Sequence, residues 1–140
     1  MKILPDTTYL LPILGVKVPE VMPALRALRG RDDLELYYSP FSLLEALGKI
    51  AKEKHDPKRL GAGLMSIAAR FNEATPSPSG YLKAAELRQK GHGDLIDLLL
   101  YATARDRGLR LLTRDLDLLD FLRKVGEDLD AVITEEELLR

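Results

Sequence analysis

Residues 94–117 read DLIDLLLYATARDRGLRLLTRDLD, and the reading of this stretch decides the fold. Leu95, Ile96, Leu98, Leu99, Leu100, Ala102 and Ala104 fall on nearly every side of a helix, which predicts a helix buried almost all round. Asp94 opens it, Gly108 is placed to cap its end, and 109–113 follows as a short strand. The next helix covers 115–125. A buried helix feeding a short apolar strand is the unit of a parallel sheet covered on both faces.

The same alternation extends outward. Ile3 and Leu4 read as a first strand with Pro5 near its end, where a missing N–H is tolerated. A short helix or turn at 9–14 stops at Gly15, and 19–30 is a helix with Pro19 in its first turn and a Val21, Met22, Leu25, Leu28 stripe. Residues 34–38 are the second strand. Ser39-Pro40 then starts a helix that runs to Ala51, and Asp56-Pro57 breaks the chain before a helix at 60–71. The Pro- and Ser-rich segment 74–80 reads as the mobile loop, followed by a helix at 81–89. A last strand at 131–133 precedes Thr134 and Glu137, a capping box for a terminal helix. The expectation is an α/β protein with a short parallel sheet of four to five strands, helices on both faces, and one domain over 1–140.

Composition narrows the chemistry. The 140 residues are 46% apolar, enough for a core, and 21 Lys plus Arg against 22 Asp plus Glu exclude binding driven by a strongly basic tail. The absence of Cys excludes disulfides, thiolate metal sites and Cys nucleophiles, and His55 and His92 alone are too few for a zinc site built on several imidazoles. Neither an apolar run of bilayer length nor a signal-peptide pattern is present, so the expected location is cytoplasmic, away from membranes. Asn72 and Gln89 are the only side-chain amides, a bias shared with heat-adapted proteins.

Ligands bind a parallel sheet beyond the carboxyl ends of its strands, which directs attention to the polar residues there. Asp6, Thr7 and Thr8 leave the first strand, Ser39, Ser42 and Glu45 the second, and Thr113, Asp115 and Asp117 the third. Asp94 and Asp97 lie three residues apart on the apolar helix, where an unpaired carboxylate is costly. Such acids, if they converge, take up protons or bind a divalent ion, and oxygen donors without His or Cys favour Mg²⁺ or Mn²⁺. The matching chemistry is metal-assisted hydrolysis of a phosphodiester. Structural roles compete at several positions. Glu45 completes a capping box with Ser42, Asp94 and Asp115 each suit an N-cap, and Asp117 suits a helix first turn. His55 and His92 read as solvent-exposed. The basic run Lys49, Lys52, Lys54, Lys58, Arg59 reads as a solvated helix face, while Arg105, Arg107, Arg110 and above all Arg114 are the candidates for phosphate contacts.

Four segments resemble, in order, the motifs of the PIN-domain ribonucleases: Asp6-Thr7-Thr8 after strand one, Ser39 to Glu45 after strand two, Asp97 with Thr103 and Ala104, and Leu-Leu-Thr113-Arg114-Asp115 followed by Asp117. Pro5 directly before Asp6, and Thr8 where the family often has Asn, are departures from that pattern. The resemblance implies a single PIN-like domain whose metal-binding acidic core is Asp6, Glu45, Asp97 and Asp115. Asp117 and Thr113 are then auxiliary, Asp94 replaces or assists Asp97, and Arg114 and Arg110 contact nucleic acid. It further implies a Mg²⁺- or Mn²⁺-dependent endoribonuclease acting on RNA, either a stand-alone RNA-processing enzyme or the VapC-type toxin of a toxin–antitoxin pair. A toxin of that kind is usually a homodimer silenced by an antitoxin protein. The rival reading is a non-catalytic PIN-like RNA-binding or scaffolding protein, in which the acids are scattered or salt-bridged. A receiver-like phosphoacceptor domain fits the order of the acids less well.

Overall fold

A computed structural model describes all residues 1–140. Five parallel strands stand in the order β3-β2-β1-β4-β5: β1 Lys2–Pro5, β2 Glu35–Tyr38, β3 Asn72–Glu73, β4 Arg110–Leu112 and β5 Val132–Ile133. The chain builds β1, β2 and β3 outward on one side and then returns to add β4 and β5 on the other. The order therefore reverses between β1 and β4, where such a sheet opens a ligand crevice at its carboxyl edge. Pro5 ends β1 as expected, paired with Leu112, and the Asp6 N–H just beyond it donates to the Leu112 carbonyl at 3.0 Å.

Side-chain alternation along these short strands divides the core into two layers. Leu4, Leu111 and Val132 face one cluster with the helices α5 Pro78–Gln89, α6 Leu95–Arg107 and α7 Leu116–Lys124. Their neighbours Ile3, Leu112 and Ile133 face the other, with α1 Thr7–Ile13, α2 Met22–Gly30, α3 Pro40–Ala51, α4 Pro57–Arg70 and α8 Glu135–Leu139. The apolar helix is α6, in which every residue from Leu98 to Ala104 is buried, and Gly108 caps it in the left-handed conformation at φ 68°. Burying Leu98 and Leu100 fully stabilises the fold by about 2 kcal/mol each before entropy is counted.

Several boundaries differ from expectation. Pro19–Val21 is a 3-10 turn, and the α-helix begins after it at Met22. Helix α4 starts at Pro57, directly after its Asp56 cap, so Asp56-Pro57 opens that helix as well as breaking the chain. Strand β3 has no apolar pattern, being two exposed polar residues paired to Tyr37 and Tyr38 at the sheet edge. The segment 74–80 is held in place. Ala74 and Pro76 are buried, and Ser77 caps α5 while its hydroxyl donates to Asp106 Oδ2 at 2.6 Å.

Gly63 in α4 lies against the backbone of Ile13 and Leu14, and a Cβ added there would collide with the Ile13 carbonyl oxygen. Gly63→Ala should therefore destabilise the fold by about 1–3 kcal/mol. Gly61→Ala, which meets nothing within 4 Å, should be neutral or slightly stabilising. Denaturant unfolding of the two variants checks this, and equal midpoints would refute the close packing of α4 on α1.

Candidate metal centre

At the carboxyl edge, a cleft of about 350 Å³ is lined by Asp6, Thr7, Thr8, Glu45, Lys49, Asp94, Asp97, Arg114 and Asp115, with no apolar residue among them. Helix capping brings several of these acids to the cleft. Asp6 is the N-cap of α1, its Oδ1 accepting the Thr8 N–H at 3.0 Å. Asp115 caps α7 by accepting the Leu118 N–H at 3.2 Å, and its own N–H donates to the Thr113 hydroxyl oxygen at 3.0 Å. A cap uses one carboxylate oxygen and leaves the other free, so capping and a role in the cleft coexist at both positions. Glu45 is in no capping box. Ser39 caps α3, the Ser42 hydroxyl has no partner, and Glu45 sits half-buried in the cleft wall.

Asp94 and Asp97 take different parts. Asp94 is exposed and caps α6, its Oδ1 accepting the N–H groups of Ile96 and Asp97 at 3.0 and 3.2 Å. Asp97, one turn deeper and half-buried, is the inward acid, although both line the cleft.

Proximity and burial disturb the charges. Burial, with repulsion from Asp115 and Glu45, pushes Asp6 up from 3.8 to about 6, while the Thr113 hydroxyl and the Thr8 N–H hold it lower than burial alone would. Asp97 is raised further. Burial is the main cause, followed by a hydrogen bond with Asp115 and repulsion from Asp94, Asp115 and Asp6. No ion pair relieves Asp6, Glu45 or Asp115. The rim cation Arg114 is drawn aside to Glu135 at 3.4 Å, and Glu135 also accepts the buried Tyr9 hydroxyl at 2.6 Å. Burial and Glu135 together push the Tyr9 phenol above its ordinary range.

Other expected residues lie elsewhere. Asp117 is exposed in the first turn of α7 and does not line the cleft. Arg110 begins β4, so it lies at the opposite edge of the sheet, where its guanidinium donates to the Asp130 carbonyl at 3.3 Å. Arg105 lines a surface pocket there with Arg110, and Arg107 donates to the Thr75 carbonyl at 2.9 Å. Strand direction is the reason: residues before β4 and residues after it emerge at opposite ends. Two residues were missed. Lys49 lines the cleft one helical turn after Glu45, a spacing visible in the sequence. His92 is not solvent-exposed: its side chain is 11% accessible and Nε2 lies 3.5 Å from Asp97 Oδ2. One ligand atom each from His92, Asp97 and Asp115 lie within 4.8 Å of one another.

An acidic cleft at the reversal point of a five-stranded parallel sheet defines an α/β domain with a carboxylate centre. The PIN domain family signature matches residues 3–125, and the chain belongs to that family. Solved structures of the same fold include VapBC2 from Rickettsia felis bound to a DNA fragment from its promoter, at 17% identity and TM-score 0.69, covering 96% of this chain and 98% of that one. A toxin–antitoxin complex from Klebsiella pneumoniae is similar at 22% identity and TM-score 0.63, over 94% and 96% of the two chains. PAE2754 from Pyrobaculum aerophilum follows at 21% and 0.60, over 99% and 87%. No curated protein matches the sequence. No helix is long and apolar enough to cross a membrane.

The raised Asp6 fixes the sign of a pH dependence. The folded state holds a proton that the unfolded state releases above about 4, so stability without added ions should fall as pH rises from 4 through 6, by on the order of 3 kcal/mol for this group. Urea unfolding in EDTA across that range should show the loss. Asp6→Asn, which keeps a cap acceptor, should reduce the slope and leave the share owed to the raised Asp97. An unchanged slope in that variant would assign the whole effect to another group.

Proposed function

We propose that the protein is a Mg²⁺- or Mn²⁺-dependent endoribonuclease of VapC type, with Asp6, Glu45, Asp97 and Asp115 as the ligand-bearing residues. One observation carries the reading: these four acids line one cleft without ion pairs to offset Asp6, Glu45 or Asp115. The donor set fits a hard cation. Besides the carboxylates, the buried Thr7 in the cleft wall has an unpartnered hydroxyl, one more oxygen donor. When bound, the ion polarises a phosphodiester and lowers the pKa of water. The rival, non-catalytic reading requires scattered or salt-bridged acids, and the shared cleft argues against it.

The chain's own residues prepare the rest. Thr113 holds the two central acids in register, beside Asp6 and hydrogen-bonded to the backbone of Asp115. The Asp94 cap fixes the first turn of α6 and with it the position of Asp97. Lys49 and Arg114 are the cations that meet strand phosphates. Lys49 also lines a neighbouring groove of about 570 Å³ with Lys52, Lys54 and Arg59, whose cations outnumber the Glu53 and Asp56 carboxylates there and give the strand a net basic continuation. The guanidinium of Arg59 is tied to the Pro12 and Ile13 carbonyls, which leaves Lys49, Lys52 and Lys54 as the cations free to turn toward a phosphate. An antitoxin partner and a homodimer belong to the same reading. The toxin–antitoxin neighbours support the first, and exposed Leu44, Tyr81 and Leu82 offer apolar surface for the second.

Cleavage of short RNA oligonucleotides tests the proposal. Activity should require Mg²⁺ or Mn²⁺ and stop in EDTA, Asp6→Asn and Asp97→Asn should each lose at least about 100-fold in kcat, and Arg114→Ala should chiefly raise KM. Cleavage that persists in EDTA, or full activity in Asp6→Asn, refutes it.

A further inference from the structure

We propose that His92 Nε2 is a nitrogen ligand to the ion held by Asp97 and Asp115, tilting the cleft from Mg²⁺ toward Mn²⁺; this rests on the metal-site reading above. The imidazole lies between Gly91 and Gly93, just before the Asp94 cap, in the turn that delivers α6 to the cleft. Its ring leans on Phe121 of α7 with centroids 5.1 Å apart and planes tilted by 35°, so both helices that carry the acids also fix the histidine. Nε2 is shielded from solvent and makes no hydrogen bond. Its neighbour is Asp97 Oδ2 at 3.5 Å, and ligand atoms of His92, Asp97 and Asp115 share a span of 4.8 Å. An ion with bonds of about 2.1 Å holds its ligand atoms ~3 to ~4.2 Å apart, so small side-chain rotations bring the three onto one centre. A buried nitrogen without a partner is costly to maintain, and an ion supplies the missing bond.

The choice of ion follows from donor type. Mg²⁺ takes oxygen ligands and sheds water reluctantly, whereas a mixed nitrogen and oxygen set suits first-row transition ions. Mn²⁺ accepts both the carboxylates and the imidazole. The other imidazole, His55, is exposed and bonded to the Glu53 carbonyl, so it is an internal control.

The test is pulsed electron paramagnetic resonance of the Mn²⁺-loaded full chain, read for ¹⁴N echo modulation, together with Mn²⁺ affinity from the free-ion signal. Wild type and His55→Gln should show imidazole coupling, and His92→Gln should lose it. His92→Gln should also bind Mn²⁺ about tenfold more weakly while Mg²⁺ competition changes less than about threefold. With two histidines in the chain, coupling that survives in His55→Gln identifies His92 even if His92→Gln folds poorly. Tight Mn²⁺ binding without nitrogen coupling overturns the role of His92 and leaves the carboxylate site standing. Mn²⁺ binding that is no tighter in wild type than in Asp6→Asn overturns both.

Discussion

Mutual repulsion among carboxylates held in one cleft is the constraint around which this structure is arranged. Asp6, Glu45, Asp97 and Asp115 come from four separate elements, and each would lie further from the others in an unfolded chain. The fold brings them together because β1 and β4 are paired in parallel and both end at the same edge. The two-layer apolar core opposes the repulsion. A fully buried leucine contributes about 2 kcal/mol, so a few core residues offset the cost of a desolvated, crowded acid. The price of that balance falls on Asp6 and Asp97, whose carboxyls are raised chiefly by burial, with repulsion from the neighbouring acids adding to it.

Capping is the second device. Asp6, Asp94 and Asp115 each use a carboxylate oxygen to accept from a helix N-terminus, at α1, α6 and α7. Three helix starts are thereby aimed at one cleft, and their partial positive charge favours anions there. A cap and a metal ligand therefore need not be alternatives. The remote C-terminus joins the same system, since Glu135 at the start of α8 takes the Tyr9 hydroxyl and the Arg114 guanidinium. Glu135 thus keeps a positive charge at the rim and away from the acids.

Motif order and helix periodicity were legible because they are local. The apolar run after Asp97, the Gly108 cap and the Ser39-Pro40 helix start each depend on neighbours within a turn or two. Strand β3 was not legible, since two exposed polar residues carry no periodicity and pair only because β2 lies beside them. The segment 74–80 misled for a similar reason. Its Pro and Ser residues suit a loop, but the anchor that orders it, Asp106, lies 29 residues away. Among the site residues, Asp117 and Arg110 were misplaced because nearness in sequence to Asp115 says nothing about which end of a strand a side chain leaves.

The amino-acid order by itself determined that this is an alternating α/β chain with acids after its strands and one on a nearly all-apolar helix, because hydrophobic period and capping chemistry act over a few residues. Only the tertiary structure decided which acids face one another, that Asp97 points inward while Asp94 caps, and that His92 turns in against Phe121 and Asp97. Those choices depend on strand order and on how α6 and α7 pack, and contacts between distant segments leave no imprint on local spacing.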